Sequence, residues 1–72
     1  MNATATAIES DPFLTRQCAE LMALEDHRDK LYEVMRDNPE SVEARLAYDI
    51  AVKRWAHAHN AFSRALNTVL GL

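Results

Sequence analysis

The chain has 72 residues, of which 49% are hydrophobic and 26% charged, with a formal net charge of −3. This length allows one small domain, and the composition is that of a folded chain rather than a disordered one. The negative charge gives nucleic acid no general electrostatic reason to bind. One cysteine excludes an internal disulfide, and no apolar run reaches the roughly 18 residues of a membrane span. We expect no signal peptide in the first ten residues. We therefore expect a cytoplasmic protein.

The first half of the chain predicts a short leader followed by a long helix. Residues 1–10 are small and show no periodic face, so we expect a flexible leader. Asp11 can cap a helix that opens with Pro12 at its first position. Apolar side chains then recur at steps of three and four, which predicts a helix over residues 12–36. The stripe comprises Leu14, Cys18, Leu21, Leu24, Leu31 and Met35.

The second half predicts one longer helix over residues 39–70. Pro39 disfavours helical geometry at Asn38, so the first helix ends there, and Asn38 can cap the next helix. Gly71 occupies the place of a left-handed C-terminal cap. A large apolar residue or His59 recurs along one face, and alanine recurs every seventh residue beside it. That face carries Tyr48, Val52, Trp55, His59, Phe62, Leu66 and Val69, and the alanines are Ala44, Ala51, Ala58 and Ala65.

A short connection makes the two helices antiparallel neighbours, so residues 11–72 should form an all-α, two-helix hairpin. If the chain reverses at Asp37 and Asn38, Arg28 faces Tyr48 and Glu20 lies near Trp55.

The second helix has more apolar surface than one hairpin can cover. Val42, Leu46 and Ile50 step by four along a side nearly opposite Tyr48, and Val34 adds to this surplus near the turn. A helix that is apolar on two sides is normally covered on both. The economical solution is a homodimer that forms a four-helix bundle, and a different protein is the alternative cover.

Four further residues are candidates for partner binding or for packing. Arg28 and Arg45 stand where the periodicity predicts a hydrophobe. Each can keep its stem packed and its head in water, pair with a carboxylate that sets the register, or anchor a partner. Tyr48 and Trp55 are core residues by position, yet interface hot spots use the same residue types.

The sequence contains no residue set that specifies a reaction. His57 and His59 are two apart and point to different sides of a helix, so we expect no metal site and no cofactor. No serine or cysteine has the neighbours of an activated nucleophile. We expect a non-enzymatic adaptor, co-chaperone or small inhibitor that binds another protein. A basic face with Lys53, Arg54, His57 and Arg64 keeps RNA binding as an alternative.

The second half also resembles the subunits of type III secretion needles. The matching residues are Asn38-Pro39 at the turn, then Tyr48, Trp55, Asn60-Ala61 and Ser63. Those subunits are small two-helix hairpins. The resemblance therefore implies a hairpin whose copies assemble into a filament.

Overall fold

The computed structural model describes residues 3–71, except for the side chains of residues 3–5 and 7. Three helices make up this part: α1 is Ala3–Ser10, α2 is Pro12–Asp37 and α3 is Val42–Leu70. The all-helical class is therefore confirmed, and the two long helices pack against each other as predicted.

The first helix differs from the flexible leader that we expected for residues 1–10. Its eight residues are too few to be stable alone in water, so tertiary packing has to support them. α1 contacts both α2 and α3, and the Ile8 carbonyl accepts a hydrogen bond from Thr15 Oγ1 on α2. The fold thus has a third, short helix that the apolar periodicity did not indicate.

The predicted start of α2 is confirmed by its cap. Asp11 Oδ1 accepts from the backbone N–H of Phe13 at 2.9 Å and of Leu14 at 3.3 Å, and Pro12 occupies the first turn. These contacts satisfy donors that the first turn of a helix leaves unpaired.

The connection between α2 and α3 is longer than predicted. Asn38 caps the end of α2 instead of the start of α3, because its side-chain amide donates to the Val34 carbonyl at 2.8 Å. Pro39 and Glu40 form a turn, and Ser41 becomes the N-cap, accepting from the Ala44 N–H at 3.1 Å. The second long helix therefore begins at Val42 rather than at residue 39.

This later turn shifts the pairing of the two antiparallel helices. Tyr32 lies against Tyr48, with ring centroids 5.6 Å apart, and Arg28 lies over Trp55. The predicted pairing of Arg28 with Tyr48 was wrong by about two helical turns, because Arg28 meets a residue seven positions beyond Tyr48. The chain reverses at Pro39 and Glu40 instead of Asp37 and Asn38, and this move by two residues shifts each partner by about four of these positions.

The helices form a rod with a thin core. The rod measures 46 × 18 × 17 Å, and its radius of gyration of 15.2 Å exceeds the roughly 11 Å of a compact chain of this length. Only Leu14, at 0% exposed, and Ala51, at 3%, are fully buried among the described residues. Ala44, Ala58 and Ala65 are partly buried, as expected where two helices approach closely. The predicted left-handed cap at Gly71 is confirmed by its φ of 74°.

Candidate functional site

Large apolar side chains remain exposed along one side of the hairpin. The predicted interface residues Val34, Val42, Leu46 and Ile50 are 47%, 71%, 56% and 48% exposed. Val42, Leu46 and Ile50 are four residues apart, so they form a ridge along α3. We call these three residues the apolar ridge.

Beside the apolar ridge, α2 and α3 enclose an elongated groove, which we call the side groove. It consists of two adjoining depressions of about 510 and 350 Å³ that share Ile50 and Arg54. Its walls are mostly apolar, with basic residues at the rim. The lining residues are Leu24, His27 and Leu31 from α2 and Ala47, Ile50, Ala51, Lys53, Arg54, His57 and Ala58 from α3.

The rim of the side groove carries a positive charge although the whole chain is negative. Lys53 Nζ pairs with Asp49 Oδ2 at 3.0 Å, so its charge is partly compensated by its own helix. Arg54 takes part in no ion pair among residues 3–71. An exposed guanidinium beside an apolar floor is typical of a protein-binding surface, where arginine contacts both kinds of group.

A further depression, which we call the turn depression, lies near the turn and brings together four of the predicted interface residues. Val42, Arg45, Leu46 and Tyr48 line it, together with Met35 and Asp49, around a volume of about 510 Å³. Leu46 borders this depression, and Ile50, one turn further along α3, lines the side groove. The apolar ridge therefore runs from the turn depression to the side groove.

The other two predicted interface residues, Arg28 and Trp55, pack between the helices. The Arg28 guanidinium lies 4.4 Å from the centroid of the Trp55 ring, and Trp55 stacks on His59 at 5.0 Å. Arg28 Nη2 also pairs with Asp29 Oδ1 at 3.0 Å and with Glu25 Oε1 at 3.7 Å. Its side chain is only 22% exposed, so both the stem and the head of Arg28 contribute to the hairpin.

Residues 25–30 of α2 are almost all charged, and they include an ordinary ion pair on a solvated face. Lys30 Nζ lies 2.9 Å from Asp26 Oδ2, and this hydrogen bond, with the attraction between the two charges, raises the pKa of Lys30. Both side chains are well exposed, so the pair adds little to stability.

Sequence reasoning identified the apolar ridge but missed the side groove. Leu24 and Leu31 were assigned to the interior, and Arg54 and His57 to a separate basic face. Arg54 follows Ile50 by four residues and His57 follows it by seven. That spacing already places basic and apolar side chains on one face of α3, and it is the signal that could have revealed the groove.

Within residues 3–71, no three His, Cys, Asp or Glu side chains gather closely enough to hold a metal ion. None of the helices in that part of the chain combines the length and the apolar character needed to cross a membrane.

Comparison of the chain with protein-family models, with curated proteins and with solved structures finds no match.

Proposed function

We propose that this protein is a non-enzymatic helical hairpin that acts by protein–protein binding, and that it first associates with itself into a four-helix bundle. The observation that carries the proposal is the apolar ridge, which stands exposed beside a groove with apolar walls. A contiguous apolar surface of this kind usually marks an interface.

The accessible area of the chain supports an interface of dimer size. The chain exposes 5403 Å² for a mass of 8.2 kDa, whereas a compact monomer of that mass exposes about 4,500 Å². The excess of about 900 Å² is close to the roughly 800 Å² that each partner buries in a stable interface. A second copy that covers the ridge and the side groove would bring the exposed area of each protomer to that of an ordinary globular protein.

The turn end of the hairpin offers further residues suited to binding, apart from the ridge residues that the second copy would cover. Arg45 and Tyr48 are residue types enriched in interface hot spots, and they line the turn depression together with the apolar Met35. We propose that an adaptor, co-chaperone or inhibitor of this architecture uses its turn end to contact a different protein.

The test of self-association is the mass in solution of the wild type and of the double variant Leu46→Glu with Ile50→Glu. We expect the wild type to reach twice 8.2 kDa as its concentration rises, by sedimentation or light scattering. The variant loses four apolar contacts per dimer, and about half of each side chain is available for burial. At about 1 kcal/mol each, the dimer should dissociate about a thousandfold more readily.

A matched control keeps the added charge but moves it elsewhere. Met22 is 65% exposed on α2 and lines none of the three depressions, so Met22→Glu should leave the dimer intact. A wild type that stays monomeric over a hundredfold range of concentration would refute the proposal, as would a double variant of unchanged mass. A mass that grows without limit would indicate the filament implied by the needle resemblance instead of a closed dimer.

A further inference from the structure

The face of α3 that includes Ile50 changes its charge along the helix. Glu43, Ile50, His57 and Arg64 follow one another at intervals of seven residues, so they share this face. All four are exposed. The face is therefore acidic near the turn, apolar in the middle and basic toward the C-terminal end.

A surface with this order of charges is complementary to itself when two copies run in opposite directions. In a two-fold dimer, the same patch of each copy faces the other. An antiparallel arrangement places the acidic end of one helix against the basic part of the second. A parallel arrangement would instead place Glu43 against Glu43 and Arg54 against Arg54, and like charges in contact oppose association.

We infer that two copies of this chain dock through antiparallel α3 helices, with the two-fold axis at Ile50. The inference rests on the proposed self-association and specifies its geometry. Residues equally far before and after Ile50 then meet: Leu46 of one copy faces Arg54 of the second, and Val42 faces Ala58. Glu43 lies between His57 and Arg54 of the second copy.

The larger depression of the side groove fits the α3 helix of a second copy in length and in chemistry. From Ile50 to Ala58 the groove extends about 12 Å along α3, and the same distance separates Ile50 from Val42. Leu46 and Val42 of the second copy therefore fill a depression of about 510 Å³ whose walls are mostly apolar. Neither Glu43 nor Arg54 forms an ion pair within its own chain in residues 3–71, so each is available to the other copy.

Cross-linking at the axis tests the geometry directly. A side chain on a two-fold axis faces its own copy, so Ile50→Cys in a Cys18→Ser background should form an intermolecular disulfide. Oxidised glutathione is the oxidant. It takes up the two electrons and the two thiol protons and leaves as two molecules of reduced glutathione, while one S–S bond joins the two copies. Met22→Cys in the same background is the control for random collision, because Met22 is well exposed and lies outside the groove. We expect at least tenfold faster cross-linking for the variant at position 50.

A charge exchange provides a second, independent measurement. Glu43→Arg and Arg54→Glu should each weaken the dimer about tenfold, since each change affects two symmetric contacts. The two changes combined in one chain restore the pairs with reversed sign, so the double variant should regain most of the wild-type affinity. Circular dichroism of each variant verifies that the helices are intact.

The outcomes separate this geometry from self-association itself. A wild-type dimer whose Ile50→Cys variant cross-links no faster than the control refutes the antiparallel docking and leaves the proposed dimer standing. Failure of the double charge variant to recover affinity has the same meaning. A monomeric wild type refutes both proposals.

Discussion

Leu14, in the first turn of α2, is fully buried, and its truncation should destabilise the protein more than any other single apolar deletion. It is the one large side chain among the described residues with 0% exposure. Replacing a fully buried leucine by alanine costs about 2–5 kcal/mol, depending on how far the surroundings collapse into the cavity. Because the core of the rod is thin and its surroundings can partly collapse, we expect Leu14→Ala to cost about 3 kcal/mol.

This loss is large relative to the total stability of so small a domain. A chain of 72 residues has a free energy of unfolding of about 4–11 kcal/mol. Its entropy of unfolding is about 0.15 kcal/mol/K, so the substitution should lower Tm by about 20 °C.

Thermal and urea unfolding, followed by circular dichroism at one fixed protein concentration, measure the effect. The fixed concentration is needed because self-association stabilises the folded state by mass action. Met22→Ala is the control, since an exposed side chain should change the free energy of unfolding by less than about 0.5 kcal/mol. A Leu14→Ala variant as stable as this control would show that Leu14 is not packed in a core, and the reasoning would fail.

Two further substitutions test the connection between α2 and α3 and the packing of Arg28 on Trp55. Ser41→Ala removes the N-cap of α3 and should cost about 1 kcal/mol in urea unfolding, and no loss would contradict the late start of that helix. Arg28→Met keeps the stem but removes the charge over Trp55, so we expect a loss of about 1 kcal/mol and a changed fluorescence of this single tryptophan. The control is Lys30→Met, which breaks an exposed pair and should have almost no effect, whereas equal effects of both variants would contradict the packing role of Arg28.

The rod shape explains why packing and binding are closely connected in this protein. Two helices in contact can bury one stripe each, and here most of the apolar side chains are only partly covered. The residues that complete the hairpin, such as Leu24 and Leu31, also form the walls of the side groove. A substitution of Leu24 or Leu31 therefore affects both stability and association. The ridge residues Leu46 and Ile50 are about half exposed, so their substitution disturbs the hairpin less and is the better test of association.

Local signals in the sequence were sufficient for the helices and most of their ends. The cap at Asp11, the left-handed Gly71 and the apolar stripe of α2 all depend on groups within a few residues of one another. Such short-range preferences act on any chain with that sequence, so they can be identified without coordinates. The exposed ridge of Val42, Leu46 and Ile50 also followed from spacing alone, because side chains four residues apart share a helix face.

The tertiary structure decided what depends on several elements at once. It also decided between two helix caps that are close together in the sequence: the Asn38 amide bonds back to Val34 and Ser41 caps α3, so the turn falls at Pro39 and Glu40. That choice set which residues of α2 and α3 meet, so it put Arg28 on Trp55 and opened the side groove between the helices. It also made residues 3–10 a helix, since so short a segment depends on contacts with α2 and α3. Helix periodicity determines which side chains share a face, whereas only the relative placement of the helices determines what each face meets.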